Sequence, residues 1–125
     1  MHANAGWRII GDTHNYYRST WEANYARWLE WNCKKGLIRS WDHEFKTFWF
    51  ENIKRGVRSY LPDFFVIYPD DTCEYHEVKG YMDAKSATKL KRMAKYYPRV
   101  KVVLIDSKCY QSIAKFKRLI PGWES

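Results

Sequence analysis

The segment Val100–Ile105, VKVVLI, constrains the fold most. Five of its six residues are apolar, and a short run of this kind suits a strand buried in a sheet, here read as a central strand. The rest of the chain is then read as the elements that cover such a sheet. Between Ser19 and about Lys35, Trp21, Tyr25, Trp28, Leu29 and Trp31 recur near helical spacing, and Gly36 follows as the C-cap. From Ile38 to Phe50, Trp41, His43, Phe45, Thr47 and Trp49 alternate with Asp42, Glu44 and Lys46, the period of one strand. ENIKRG (Glu51 to Gly56) turns the chain. A second strand runs from about Val57 to Tyr68, interrupted at Pro62, and Pro69-Asp70-Asp71 forms the next turn. A third strand spans about Cys73 to Lys79 and ends at Gly80. Met82 to Tyr97 reads as a helix with Ala87, Leu90, Met93, Ala94 and Tyr97 on one face and lysines on the other, stopped by Pro98. Gln111 to Leu119 is expected to form a last short helix.

The resulting order, α-β-β-β-α-β, predicts an α/β (α+β) fold class, a mixed central sheet flanked by helices. Residues 1–17 show no periodicity and are read as a flexible N-terminal arm, neither helix nor strand, leaving 18–125 as one domain.

Twenty-two Lys and Arg against fourteen Asp and Glu leave a net charge of +8, the footprint expected of a nucleic-acid partner. Cys33, Cys73 and Cys109 are widely spaced without a CxxC, which argues against a disulfide framework or zinc knuckle and suits a reducing cytoplasm. His2, His14, His43 and His76 have no metal-ligand spacing, and none is assigned to a metal. The N-terminus lacks an apolar signal region, and no stretch is long and apolar enough to span a membrane.

Chemistry concentrates in two places. Asp63 follows Pro62 within the second strand, and fourteen residues later Glu77-Val78-Lys79 closes the third. Side chains at i and i+2 of a strand share a face, so Glu77 and Lys79 project together, and Asp63 meets them if the two strands pair. Two carboxylates, the Val78 carbonyl and waters would suit Mg²⁺, with Mn²⁺ as a substitute, and Lys79 would orient a nucleophilic water and contact a phosphate. The bland alternatives are a strand-entry cap for Asp63 and a cross-strand ion pair for Glu77 and Lys79. Pro69-Asp70 satisfies the same letters, but Pro-Asp-Asp between apolar strands is turn chemistry. Glu22, in Ser19-Thr20-Trp21-Glu22, has two readings: a fourth member of the site, helping to bind metal or position water, or the acid of a capping box satisfying the Ser19 N–H.

Three stretches, YRSTWEANYARWLEW, RSYLPDFFV and EYHEVKGYMDAKSATKLKRMAKYYP, resemble phage endonuclease I, a Holliday junction resolvase family of the PD-(D/E)XK nuclease superfamily, and the archaeal-type resolvases are similar in their core. Arg18-Ser19-Thr20-Trp21-Glu22, Tyr60-Leu61-Pro62-Asp63-Phe64 and Glu77-Val78-Lys79-Gly80 carry the likeness. The resemblance implies a restriction-endonuclease-like core and a catalytic set of Glu22, Asp63, Glu77 and Lys79, with metal at Asp63, Glu77, Val78 and Glu22. It also implies a homodimeric, Mg²⁺-dependent endodeoxyribonuclease that makes paired nicks in four-way DNA junctions. This chain departs by insertions around Glu51 to Gly56 and between Asp63 and Glu77.

The helix after Lys79 supports a DNA substrate. Lys85, Lys89, Lys91, Arg92, Lys95, Arg99 and Lys101 lie between Ala84 and Lys101 with no acid to balance them. Lys54, Arg55 and Arg58 form a second cluster, Arg18 joins the DNA-binding set, and Arg8 with His14 extends a third along the arm. Exposed Trp49 and Phe50 would serve a two-fold interface. The rivals are a nuclease of the same superfamily with another DNA task, such as repair or transposase-type nicking, and an architectural DNA-binding protein without catalysis.

Overall fold

The computed structural model describes residues 4–125 and shows a mixed α+β fold with three helices and a mixed sheet. The order is β1 (Gly6–Ile10), β2 (Thr13–Tyr17), α1 (Thr20–Lys34), β3 (Ser40–His43), β4 (Phe48–Trp49), β5 (Ser59–Tyr60), β6 (Phe64–Ile67), β7 (Cys73–Val78), α2 (Ala84–Tyr96), β8 (Val102–Ile105) and α3 (Ser107–Ala114). Four strands form the central sheet in the order β3-β6-β7-β8, with β7 and β8 parallel and the other neighbours antiparallel.

Strand alternation gives the sheet two covered faces. Phe64, Val66, Val78 and Ile105 pack with Tyr25, Ala26 and Leu29 of α1 and Ile113 of α3. Tyr75 packs on the opposite side with Met93 of α2 and Phe48, Phe50 and Tyr60 of the β4–β5 hairpin. Burying a side chain such as Phe64 or Val66 contributes about 1.5–3 kcal/mol.

Helix α1 starts where the sequence indicates, with Ser19 as N-cap accepting the Glu22 N–H at 3.1 Å. It ends in a Schellman arrangement: Gly36 has φ +77°, its N–H reaches the Cys33 carbonyl and the Leu37 N–H reaches Asn32. Helix α2 begins two residues later than expected, because Asp83 caps it by accepting the Ser86 N–H at 2.7 Å. On its expected apolar face Met93 is buried, but Ala94 is exposed. Helix α3 lies earlier than expected, opened by Asp106, and 115–120 follow as turns.

Four expectations are corrected. Within the stretch read as an arm, residues 6–17 form an antiparallel hairpin, while the first three residues lie outside the described ones. The hairpin seats Ile10 and Tyr17 in the α1 core, and at its turn Gly11 has φ +62° with the Glu30 carboxylate 2.7 Å from where a Cβ would stand. The strand expected over about Val57–Tyr68 divides into β5 and β6 in different sheets, and the single strand expected over Ile38–Phe50 is likewise two strands in different sheets, β3 and β4. Glu44 takes φ +50° between them, and the buried positions shift from Trp41 to Phe48 and Phe50, an odd-to-even change of phase. Finally, β8 is an edge strand. Its odd residues bond to β7, with Tyr75 N–H to the Lys101 carbonyl at 2.9 Å and Lys79 N–H to Ile105 at 3.0 Å, so Val102 and Leu104 turn their backbone outward. A run apolar on both faces reports that helices cover both faces, and says nothing of its edges.

Candidate active site

The site forms at one end of the central sheet, where β3 stops, β6 begins and β7 ends beside the first turn of α1. Asp63 stands just before β6. Its Oδ2 accepts the Val78 N–H at 2.8 Å, taking the place of the backbone partner that β6 would offer one residue earlier. Its own N–H donates to Glu77 Oε1 at 3.3 Å, and the Tyr60 hydroxyl donates to that same oxygen at 3.1 Å. One hydrogen bond therefore ties Asp63 directly to Glu77 across adjacent strands, while the Val78 N–H and the Tyr60 hydroxyl each hold one of the two carboxylates.

Glu22 comes from α1 and is buried. The capping box is half formed: Ser19 Oγ takes the Glu22 N–H, but the Glu22 carboxylate passes over the Ser19 N–H and accepts the Arg18 N–H at 3.3 Å. The same Oε2 lies 2.9 Å from His43 Nε2, at hydrogen-bond distance. The His43 ring is itself buried between Tyr17 and Phe64, with centroids 4.5 and 5.4 Å away. Arg18 reaches over the cluster, its Nη2 2.7 Å from Glu44 Oε2 and 3.6 Å from Asp63 Oδ1, its Nε 3.8 Å from Glu22 Oε1. Lys79 follows Glu77 by two residues, and its Nζ lies 3.5 Å from Asp83 Oδ2.

The electrostatics follow from burial and crowding of like charge. Burial raises the Asp63 pKa well above its ordinary value, and Glu77 and Glu22 raise it further, against the Val78 N–H and Arg18. Burial likewise raises Glu77, opposed by the Tyr60 hydroxyl, the Asp63 N–H, Lys79 and Lys89. The Tyr60 hydroxyl is pushed up by burial and by Glu77 beside it, so it remains a donor.

Of the expected site residues, Asp63 and Glu77 are joined directly, Glu22 acts on Asp63 through its field and the shared Arg18, and Lys79 acts on Glu77 through its field. Among the described residues no three His, Cys, Asp or Glu side chains close into a metal cage. The donor set nonetheless suits a hard divalent cation of the Mg²⁺ kind, which takes one or two carboxylates and keeps several waters. Asp63 and Glu77 supply the carboxylates, and the Val78 carbonyl lies on the same strand edge as its N–H.

His43 and the hydroxyl of Tyr60 join the site without having been expected there. Two signals in the sequence point to them: His43 shares the inward parity of Trp41, and Tyr60 precedes Asp63 by three residues. Asp70 behaves as a turn residue, accepting from Thr72 N–H and Oγ1 at 3.0 and 2.6 Å.

The basic residues divide. Lys54, Arg55, Arg58 and Lys85 are exposed, and Lys89 is half-buried near Glu77. Arg92 donates to the Val57 carbonyl, so it ties α2 to the β4–β5 hairpin and places both basic clusters on one side of the sheet. Arg8 is committed to Glu124 at 2.7 and 2.9 Å and His14 packs against Trp7, which removes the third basic cluster. Trp49 is exposed as expected, but Phe50 is buried in the α2-side core and has no part in an interface. No helix among the described residues is long and apolar enough to cross a membrane. Comparison with protein-family models, with curated proteins and with solved structures gives no match to this chain.

Proposed function

We propose that this chain is a metal-dependent endodeoxyribonuclease with a restriction-endonuclease-like core, acting as a dimer on four-way DNA junctions. The observation that carries the reading is the direct tie between Asp63 and Glu77 at the sheet end. A buried Asp63 carboxylate beside a half-buried Glu77 that accepts the Asp63 N–H, with Glu22 adding its field, is an electrostatic cost that structural cross-strand pairing does not require.

Asp63, Glu77 and the Val78 carbonyl would hold Mg²⁺ or Mn²⁺, with Glu22 beside them. Such an ion lowers the pKa of a bound water and offsets charge on a departing oxygen. The chain's own groups supply the rest. Tyr60 O–H and the Val78 N–H hold the two carboxylates in place, and Lys79 orients the attacking water and contacts the phosphate. Lys54, Arg55, Arg58, Lys85 and Lys89 bind the DNA backbone on the α2 side of the sheet. A two-fold dimer would place two such sites around one junction, as paired symmetric nicks require.

The test compares a four-way junction with a linear duplex of identical sequence, in Mg²⁺ and in EDTA. Metal-dependent cleavage preferring the junction is expected. Equal cutting of both substrates would retain the nuclease and remove the resolvase, and binding without cleavage would favour an architectural protein.

A further inference from the structure

Four carboxylates act on a single guanidinium at the sheet end. Arg18 contacts Glu44 at 2.7 Å, Asp63 at 3.6 Å and Glu22 at 3.8 Å. Burial works against the Arg18 charge, but the fields of Glu22, Asp63, Glu44 and Glu77 outweigh it and raise its pKa. The other cation at this end, Lys79, is drawn to Asp83. Arg18 therefore balances the buried pair Glu22 and Asp63.

The three contacts are unequal. The Glu44 contact has hydrogen-bond length and lies at the rim, whereas the inner two are longer ion-pair distances to carboxylates only 6–7% exposed. The Arg18 side chain is 60% exposed, so the guanidinium has open solvent into which to swing outward. The oxygens it would release, Asp63 Oδ1 and Glu22 Oε1, are hard donors of the type a divalent cation takes.

We infer that Arg18 is the resident counter-ion of this carboxylate cluster, which a divalent cation displaces and thereby frees to bind a DNA phosphate. The inference rests on the nuclease reading and adds to it a coupling between metal and substrate through one side chain. A guanidinium suits the exchange, since its planar fork matches carboxylate and phosphate alike. Linkage makes the coupling reciprocal: bound metal raises affinity for DNA, and bound DNA raises affinity for metal.

The test begins with calorimetric titration of Mn²⁺ into the DNA-free full chain, comparing the natural protein with Arg18→Gln and Arg18→Lys. Arg18→Gln should bind Mn²⁺ more tightly, within the roughly 5- to 150-fold range of such couplings, and Arg18→Lys should fall between. Affinity for a linear duplex is then measured by anisotropy with and without Ca²⁺, on intact DNA. Ca²⁺ should tighten binding by the natural protein more than by Arg18→Gln. Unchanged or weaker Mn²⁺ binding in Arg18→Gln overturns the inference and leaves the nuclease reading standing, as does an equal Ca²⁺ effect in both proteins. Mn²⁺ binding by none of the three overturns both. If Arg18→Gln does not fold, Arg18→Lys carries the same comparison, with Mn²⁺ affinity at or below the natural value as the contrary result.

Discussion

The Val78 N–H donates to Asp63 Oδ2 at 2.8 Å, so a side chain completes the β6–β7 ladder where the backbone of β6 ends. Asparagine can keep this bond through its carbonyl oxygen, so Asp63→Asn removes charge without removing the tie. Cleavage by Asp63→Asn, and by Glu77→Gln, is expected to be abolished while junction binding persists in gel-shift assays. A rate above about a tenth of the natural one, a barrier change under about 1.4 kcal/mol, would end their catalytic assignment.

The same substitution should change stability in the opposite sense. Burial raises the pKa values of Asp63 and Glu77, so in metal-free buffer their ionisation opposes folding. Protonation of the folded form gives stability that is complete below the ordinary carboxylate range and lost as pH rises through the raised values. Asp63→Asn should therefore be more stable than the natural protein at neutral pH, by on the order of 1 kcal/mol, with the gap closing on acidification. Denaturant melts in EDTA across that range would show it, and a less stable Asp63→Asn at pH 7 would contradict the account.

Glu22 gives a cleaner separation of chemistry from folding. Both its hydrogen-bond contacts, from Arg18 N–H and His43 Nε2, fall on one oxygen, which glutamine can reproduce. Glu22→Gln should lose most activity while its Tm moves by no more than a few degrees, equivalent to about 1 kcal/mol. Full activity would leave Glu22 a structural role only, as acceptor of the Arg18 N–H and partner of His43.

Neutralising Lys54, Arg55 and Lys85 together should weaken binding to every DNA tested. The salt dependence should flatten by up to about 0.9 in log–log slope for each phosphate that is no longer neutralised. Arg92 is left out of this set because its bond to the Val57 carbonyl holds the hairpin on α2, and its loss would confuse binding with folding. An unchanged slope would make these residues ordinary solvated charge.

Glu124 joins the hairpin to the helix by accepting from Arg8 and Arg27 at 2.7 Å each. The Arg8 hydrogen bond, with Arg27 beside it, lowers the Glu124 pKa to about 2. Because the folded value is depressed, the stabilisation is present above the ordinary 4.5 and is lost as pH falls towards 2. Glu124→Gln should lower stability at pH 7, by on the order of 1 kcal/mol after solvent screening, and the difference should vanish at low pH in urea titrations. A difference independent of pH would assign the effect to packing.

Much of this arrangement is legible in the residues, and the failures share a cause. The β6 and β7 strands, α1 with its Ser19 and Gly36 ends, and the pairing of Asp63 with Glu77 follow from period, capping and strand geometry. The β1–β2 hairpin does not, because its outward face carries Trp7, Ile9 and Tyr16 while only Ile10 and Tyr17 reach the core. Apolar residues lie on both sides, so no alternation appears. The change of phase at Glu44 is hidden by Phe45 and Trp49, which continue the apolar rhythm although both are exposed. Sequence reasoning does not place His43 at the carboxylates because Glu22 lies 21 residues away along the chain, and only pairing of β3 with β6 brings His43 opposite Phe64.

The phase change at Glu44 has a consequence for how the molecule opens. Chain from the α1 side of the sheet crosses there to the α2 side, and the connection from β5 to β6 crosses back immediately before Asp63. Both crossings meet at the end of the sheet that carries the carboxylates. Loosening either layer therefore pulls on the same few residues, and the amides of Val78 and Asp63 should exchange with solvent only when both layers open together, in one cooperative unit.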